Sequence, residues 1–114
     1  MNLTAERYGH AVILNIKGDL VEDVLATLQQ AVEHELAAKD LVDVVLNLQE
    51  VGFLDSATLE YLLDLQDRLV ERLGQVRLVH CREDVRKILE VTRLDATFEI
   101  FQDIAQAIQA TEAA

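Results

Sequence analysis

Apolar residues along this 114-residue chain change their spacing several times, from every second position to a period near 3.6 and back. Each period belongs to one backbone geometry, so the switching prescribes an alternation of strands and helices. Val12, Ile13, Leu14 and Ile16 form a short apolar strand, and Leu3 and Ala5 mark a weaker one before it. Tyr8-Gly9-His10 is the turn between them, since glycine admits the positive φ of a tight hairpin. Gly18-Asp19 ends the second strand, and Asp19 with Glu22 has the D-x-x-E form of a helix start. Val21, Val24, Leu25, Leu28, Val32 and Leu36 then recur at helical spacing, with Glu22, Asp23, Gln29, Gln30 and Glu33 on the other face.

Asp43 to Gln49 is a buried strand, too short and too β-branched for a helix. Val51-Gly52-Phe53-Leu54-Asp55-Ser56 connects it, with glycine at the bend, to a second helix whose Leu59, Leu62, Leu63, Leu69, Val70 and Leu73 face inward. Gly74 supplies that helix with a terminating glycine. Val76 to Val79 is a further strand, and Val85, Ile88, Leu89 and Thr92 share one side of a third helix. Phe98 and Ile100 suggest a last strand; Ile104, Ala107 and Ile108 suggest a closing helix. The order β-β-α-β-α-β-α-β-α predicts an α/β fold: a mixed, mostly parallel sheet of four to five strands covered by about four helices. Residues 1–114 form one domain, with a frayed Ala-rich tail over 110–114.

With 51% hydrophobic residues but only three Phe, two Tyr and no Trp, the core is aliphatic. The chain carries 10 basic and 21 acidic residues, a net charge of -11. That sign is wrong for tracking phosphates, which argues against nucleic acid and against an anionic membrane surface as direct partners. Acids outnumber bases in both halves of the chain, so the charge is not held in a tail and suits a basic protein partner. A lone Cys81 makes no internal disulfide and, with no basic-then-apolar start, points to the cytoplasm.

Catalytic apparatus is hard to find. Gly9, Gly18, Gly52 and Gly74 never cluster as a phosphate cradle. His10, His34 and His80 fall on a turn, a helix and a strand end; adjacent His80-Cys81 would point to opposite faces of a strand and chelate poorly. No metal and no cofactor is therefore expected. Arg82 beside Cys81 is too little to make a nucleophile without a base and a cleft. Glu60, Asp64, Asp67 and Glu71 read, with Arg68 and Arg72, as a salt-bridged solvent face of the second helix rather than paired catalytic carboxylates. The chain is not expected to be an enzyme.

Ser56 stands apart because it follows a buried strand and opens a helix, where unpaired N–H groups and the dipole favour added negative charge. A phosphate there would add a charge of about -1.5 to -2. The plainer role is that Asp55 or Ser56 is the helix cap.

The run Phe53-Leu54-Asp55-Ser56-Ala57-Thr58-Leu59 resembles the phosphoacceptor segment of the anti-sigma factor antagonists, bacterial proteins of the STAS-domain family. Asp55, Ser56, Ala57 and Leu59 match the family pattern, while Thr58 replaces its glycine. The likeness extends through Gly18-Asp19-Leu20, Val44-Val45-Leu46-Asn47-Leu48, Thr92-Arg93-Leu94-Asp95 and Phe98-Glu99-Ile100, with Arg93 again replacing a usual glycine. The resemblance implies a STAS-like domain that binds an anti-sigma factor acting also as a serine kinase. That kinase would phosphorylate Ser56 and break the complex, and a PP2C-type phosphatase would restore it. ATP and magnesium would belong to the partner. Gly52, Phe53, Leu54, Asp55, Ala57, Thr58 and Tyr61 would form the switch loop and partner surface. Thr58 would place a branched side chain and a second hydroxyl where a partner approaches, and Arg93 would lose an easy helix-terminating glycine. A second expectation from the same family is a non-switching scaffold or lipid-transport subunit, in which Ser56 is only a cap.

Overall fold

A computed structural model describes residues 2–112. Strands β1 (Asn2–Tyr8) and β2 (Ala11–Lys17) open the chain, followed by α1 (Glu22–Leu36), β3 (Asp43–Glu50), α2 (Ser56–Glu71), β4 (Val76–Val79), α3 (Glu83–Val91), β5 (Glu99–Phe101) and α4 (Ile104–Glu112). One five-stranded sheet runs in the order β1-β2-β3-β4-β5. The hairpin β1–β2 is antiparallel, and the three remaining pairings are parallel. The sheet is therefore mixed and mostly parallel, as the alternating periodicity predicts.

Strand alternation splits the core in two. Val12, Leu14 and Ile16 of β2, Val44, Leu46 and Leu48 of β3, and Val76 and Leu78 of β4 pack under α1, α2 and α3. On the opposite face Ile13, Val45 and Val79 meet Ala107 of α4. Asp43 flanks Val45 on that second face, where its carboxylate pairs with the buried Arg77 guanidinium and accepts the Gln75 backbone N–H at 2.9 Å. Burying these charges is tolerable only because each has a partner.

β1 is stronger than its sequence, pairing with β2 along all seven residues despite being almost wholly exposed. Gly9, at φ +58°, and His10 make the two-residue connection. Phe98 is buried just before β5 rather than inside it. Arg93 keeps the left-handed conformation (φ +62°) usual for a glycine at a helix end. Of the tail expected to fray, residues 110–112 lie in α4, and 113–114 lie outside the described residues.

Val70 and Leu73, expected to face inward from the second helix, are exposed. Three further local expectations fail, each through a long-range contact. α1 begins at Glu22 with Val21 as N-cap and no side-chain cap, so Asp19 does not start the helix. The glycine after α2 is not its left-handed residue: Leu73 holds φ +68°, while the Gly74 N–H reaches Leu69 O at 2.8 Å. Gly74 is needed instead for close approach, because a Cβ there would sit 1.8 Å from the Val42 carbonyl oxygen. Arg68 and Arg72 do not bridge acids within α2. Arg68 pairs with Glu33 of α1, and Arg72 donates to the carbonyls of Leu36, Ala38 and Leu41 around the end of α1.

Candidate functional site

The segment after β3 is held by a short zipper to the segment after β2. Leu20 and Leu54 form a parallel bridge: Leu20 N donates to Phe53 O at 2.9 Å and Asp55 N donates to Leu20 O at 3.1 Å. Leu20 and Leu54 are both buried, which anchors the loop to the core while Phe53 and Ser56 on either side of Leu54 and Asp55 stay exposed. Gly52 is half-buried; its φ is not positive, and a Cβ would meet Asp19 Oδ1 at an ordinary 3.4 Å. The connection carries a glycine but its backbone does not require one.

Asp55, in extended conformation, is the N-cap of α2. One carboxylate oxygen accepts the Thr58 N–H at 2.9 Å, and the other accepts the Glu22 N–H of α1 at 2.7 Å. A single side chain thus satisfies orphan donors of two helices. The Thr58 N–H, and then that of Glu22, favour the ionised carboxylate and lower its pKa.

With Asp55 as the cap, Ser56 is not one. It occupies the first helical position, is exposed, and its hydroxyl has no hydrogen-bond partner among the described residues. Ala57 beside it is half-buried. Thr58 is wholly buried, and its Oγ1 donates to Leu20 O at 2.9 Å. This corrects the expectation of a second hydroxyl facing a partner: Thr58 points inward as part of the zipper.

Phe53 lies on the outside of the loop, a large apolar side chain that is 46% exposed. Tyr61 is half-buried, with its hydroxyl enclosed and unpartnered. Burial, and then the nearby Glu33 charge, push its pKa up to about 12. The structure thus brings the sequence-identified residues 52–58 into one loop and helix start. Sequence reasoning passed over the Glu22 N–H and Leu20 as partners of that loop; only the Gly18-Asp19-Leu20 stretch hinted at them.

The other candidates stay apart. His10 Nδ1 lies 3.1 Å from Asp40 O in the hairpin turn, His34 is exposed on α1, and His80 follows β4. Burial pushes the Cys81 thiol up to about 11, away from thiolate chemistry. Among the described residues no group of three or more His, Cys, Asp or Glu converges on a metal-sized site, and no helix is long and apolar enough to cross a membrane.

A family model described as STAS domain matches residues 2–107. The chain belongs to the STAS domain family. A STAS-domain containing protein of Pseudomonas aeruginosa (strain UCBPP-PA14) is 36% identical over 56 residues, 49% of this chain and 55% of that relative. The chain thus matches only about half the length of that curated relative. Among solved structures, a candidate anti-sigma factor antagonist of Thermotoga maritima superposes with a TM-score of 0.86 at 23% identity, covering 95% of this chain and 92% of that one. The unphosphorylated anti-sigma factor antagonist SpoIIAA gives a TM-score of 0.77 at 14% identity, covering 99% and 100%. SpoIIAA of Bacillus in its phosphorylated form gives 0.73 at 15%, covering 96% and 99%. At these identities the structural likeness establishes the SpoIIAA-like fold of this STAS domain.

Proposed function

We propose that this STAS domain is an anti-sigma factor antagonist of the cytoplasm, a binding protein switched by phosphorylation of Ser56. The observation that carries this reading is the division of labour at α2: Asp55 takes the cap, which leaves the Ser56 hydroxyl exposed and unengaged at the helix N-terminus. The similarity of the fold to SpoIIAA, for which a phosphorylated form is known, supports it. The partner is an anti-sigma factor that also acts as a serine kinase. It docks on Phe53, Ala57, Tyr61 and the outer face of α2, and supplies ATP and magnesium. This chain supplies a nucleophilic hydroxyl, and a PP2C-type phosphatase reverses the modification.

A phosphate on Ser56 stands one residue from the ionised Asp55, whose oxygens already hold the Thr58 and Glu22 N–H groups. The modification therefore acts by adding charge to an interface, through desolvation and repulsion, rather than by refolding the loop. The test is binding of the anti-sigma factor to Ser56→Ala and Ser56→Asp, with mass spectrometry of the wild type after incubation with that kinase and ATP. Constitutive binding by the Ala variant, weak binding by the Asp variant and a single phosphate on Ser56 are expected. Equal affinities and no phosphoprotein would leave Ser56 without a switching role.

A further inference from the structure

Five of the ten Lys and Arg side chains in this acidic chain are engaged. Arg7 pairs with Asp40, Lys17 with Glu50, Arg68 with Glu33 and Arg77 with Asp43 and Glu99, while Arg72 is held by carbonyl oxygens. Among the described residues Lys39, Arg82, Arg86, Lys87 and Arg93 have neither an ion pair nor a side-chain hydrogen bond, and of these Arg82 and Arg86 come together. Both line one surface cavity of about 380 Å³, with Gln49, His80, Phe101 and Gln102 among its other walls.

That cavity is chemically unlike its neighbours. In a chain with 21 acidic residues its wall contains no carboxylate. Other surface cavities are lined by Glu50, by Glu90 and Asp95 together with Arg86, by Asp40 with Asp43, and by Glu112. Glu83 and Asp84, in the first turn of α3, do not line it.

Its walls come from the carboxyl ends of β3, β4 and β5 together with the start of α3. His80, on the cavity wall, is held at φ +55°, a left-handed conformation that histidine adopts more readily than most side chains. Arg82 and Arg86 are four residues apart, with Arg86 N donating to Arg82 O at 2.9 Å. Like charges at that spacing repel, and a bound anion would relieve them.

We propose that this cavity binds a small phosphate-bearing anion through Arg82 and Arg86. Two guanidinium forks offer more donors than the two oxygens of a carboxylate can use, but match the several oxygens of a phosphate. The Gln49 and Gln102 amides add neutral donors, and Phe101 provides an apolar wall for a short organic substituent. No residue of the 52–58 loop lines the cavity, so the site stands or falls independently of Ser56.

The test is an amide-resolved NMR titration of the unphosphorylated protein at constant ionic strength, using inorganic phosphate and glycerol phosphate. Saturable shifts confined to His80–Arg86, Gln49 and Gln102 are expected. An Arg82→Gln/Arg86→Gln double variant should keep the wild-type spectrum elsewhere and bind at least about tenfold more weakly. A parallel arm measures sedimentation with phosphatidylcholine vesicles that contain phosphatidic acid. Vesicle binding that needs both arginines, without saturation by the soluble probes, assigns the phosphate to a lipid headgroup. Soluble binding without vesicle binding assigns it to a free metabolite. No saturation by any probe up to about 10 mM, or unchanged binding by the double variant, overturns the site.

Discussion

The Asp55 carboxylate and the Glu22 backbone N–H meet at 2.7 Å, joining the starts of two helices that are 33 residues apart in sequence. The same carboxylate caps α2 through Thr58, so one ionisation state governs both helix starts. Because these N–H groups lower its pKa from 3.8, the stabilisation is present above the unfolded-state pKa and is lost as pH falls through the lower folded one. Thermal unfolding followed from about pH 6 down to pH 2 should show this loss in the wild type. In Asp55→Asn the starting stability should be lower and this part of the acid decline absent; an unchanged acid profile would contradict the double cap.

Thr58 is a structural residue of the loop. Thr58→Val, which keeps the shape but removes the donor to Leu20 O, should cost about 1 kcal/mol in urea unfolding. Thr58→Gly should cost more, about 2–3 kcal/mol, since it also loses a buried methyl and adds glycine to a helix. Thr58→Ser should lie closest to wild type.

Leu73 and Gly74 should respond in opposite directions. Leu73 is 92% exposed and pays for a left-handed backbone, so Leu73→Gly should raise stability by about 1 kcal/mol. Gly74→Ala forces a Cβ into the Val42 carbonyl and should lower stability by about 3 kcal/mol or more. Chemical denaturation of the two variants separates a need for positive φ from a need for close approach.

Arg77→Met removes the partner of a buried carboxylate. It should destabilise by about 3–5 kcal/mol, whereas replacing both Asp43 and Arg77 by apolar residues should recover a large part of that loss. A double-mutant cycle measures the coupling directly.

Phe53 tests the partner surface without touching the core. Phe53→Ser should leave the melting temperature nearly unchanged and weaken binding of the anti-sigma factor by about tenfold or more, as expected for an aromatic anchor. Undiminished binding would move the interface away from this loop.

The order of strands and helices was legible in the sequence because hydrophobic period is a local property. Asn2–Tyr8 was harder to read than Ala11–Lys17, since an exposed edge strand has no buried face to imprint an apolar alternation. The capping chemistry was not legible, because its partners are distant. Asp19 and Glu22 carry the spacing of a helix start, yet the Glu22 N–H is taken by Asp55. Arg68 sits among acids at helical spacing, yet its bidentate partner is on α1. A glycine after a helix satisfies either of two demands, and only the position of Val42 decides which one holds at Gly74. The loop at 52–58 was visible as a contiguous motif. The inward turn of Thr58 was not, because its acceptor lies 38 residues earlier.

Asp55 and Arg72 together give α1 an unusual dependence. Asp55 completes its first turn, and Arg72 holds the carbonyls of Leu36, Ala38 and Leu41 around its last. These two residues are also the N-cap and C-cap of α2. α1 is thus finished at both ends by the helix that follows it in the chain. A 15-residue segment without its own caps is a poor helix in isolation, so an excised peptide of α1 should be a coil in water. During synthesis, α1 leaves the ribosome before either of its end groups exists. Residue 72 must follow before both ends of α1 can be completed, so the finished helix depends on a chain that already includes α2.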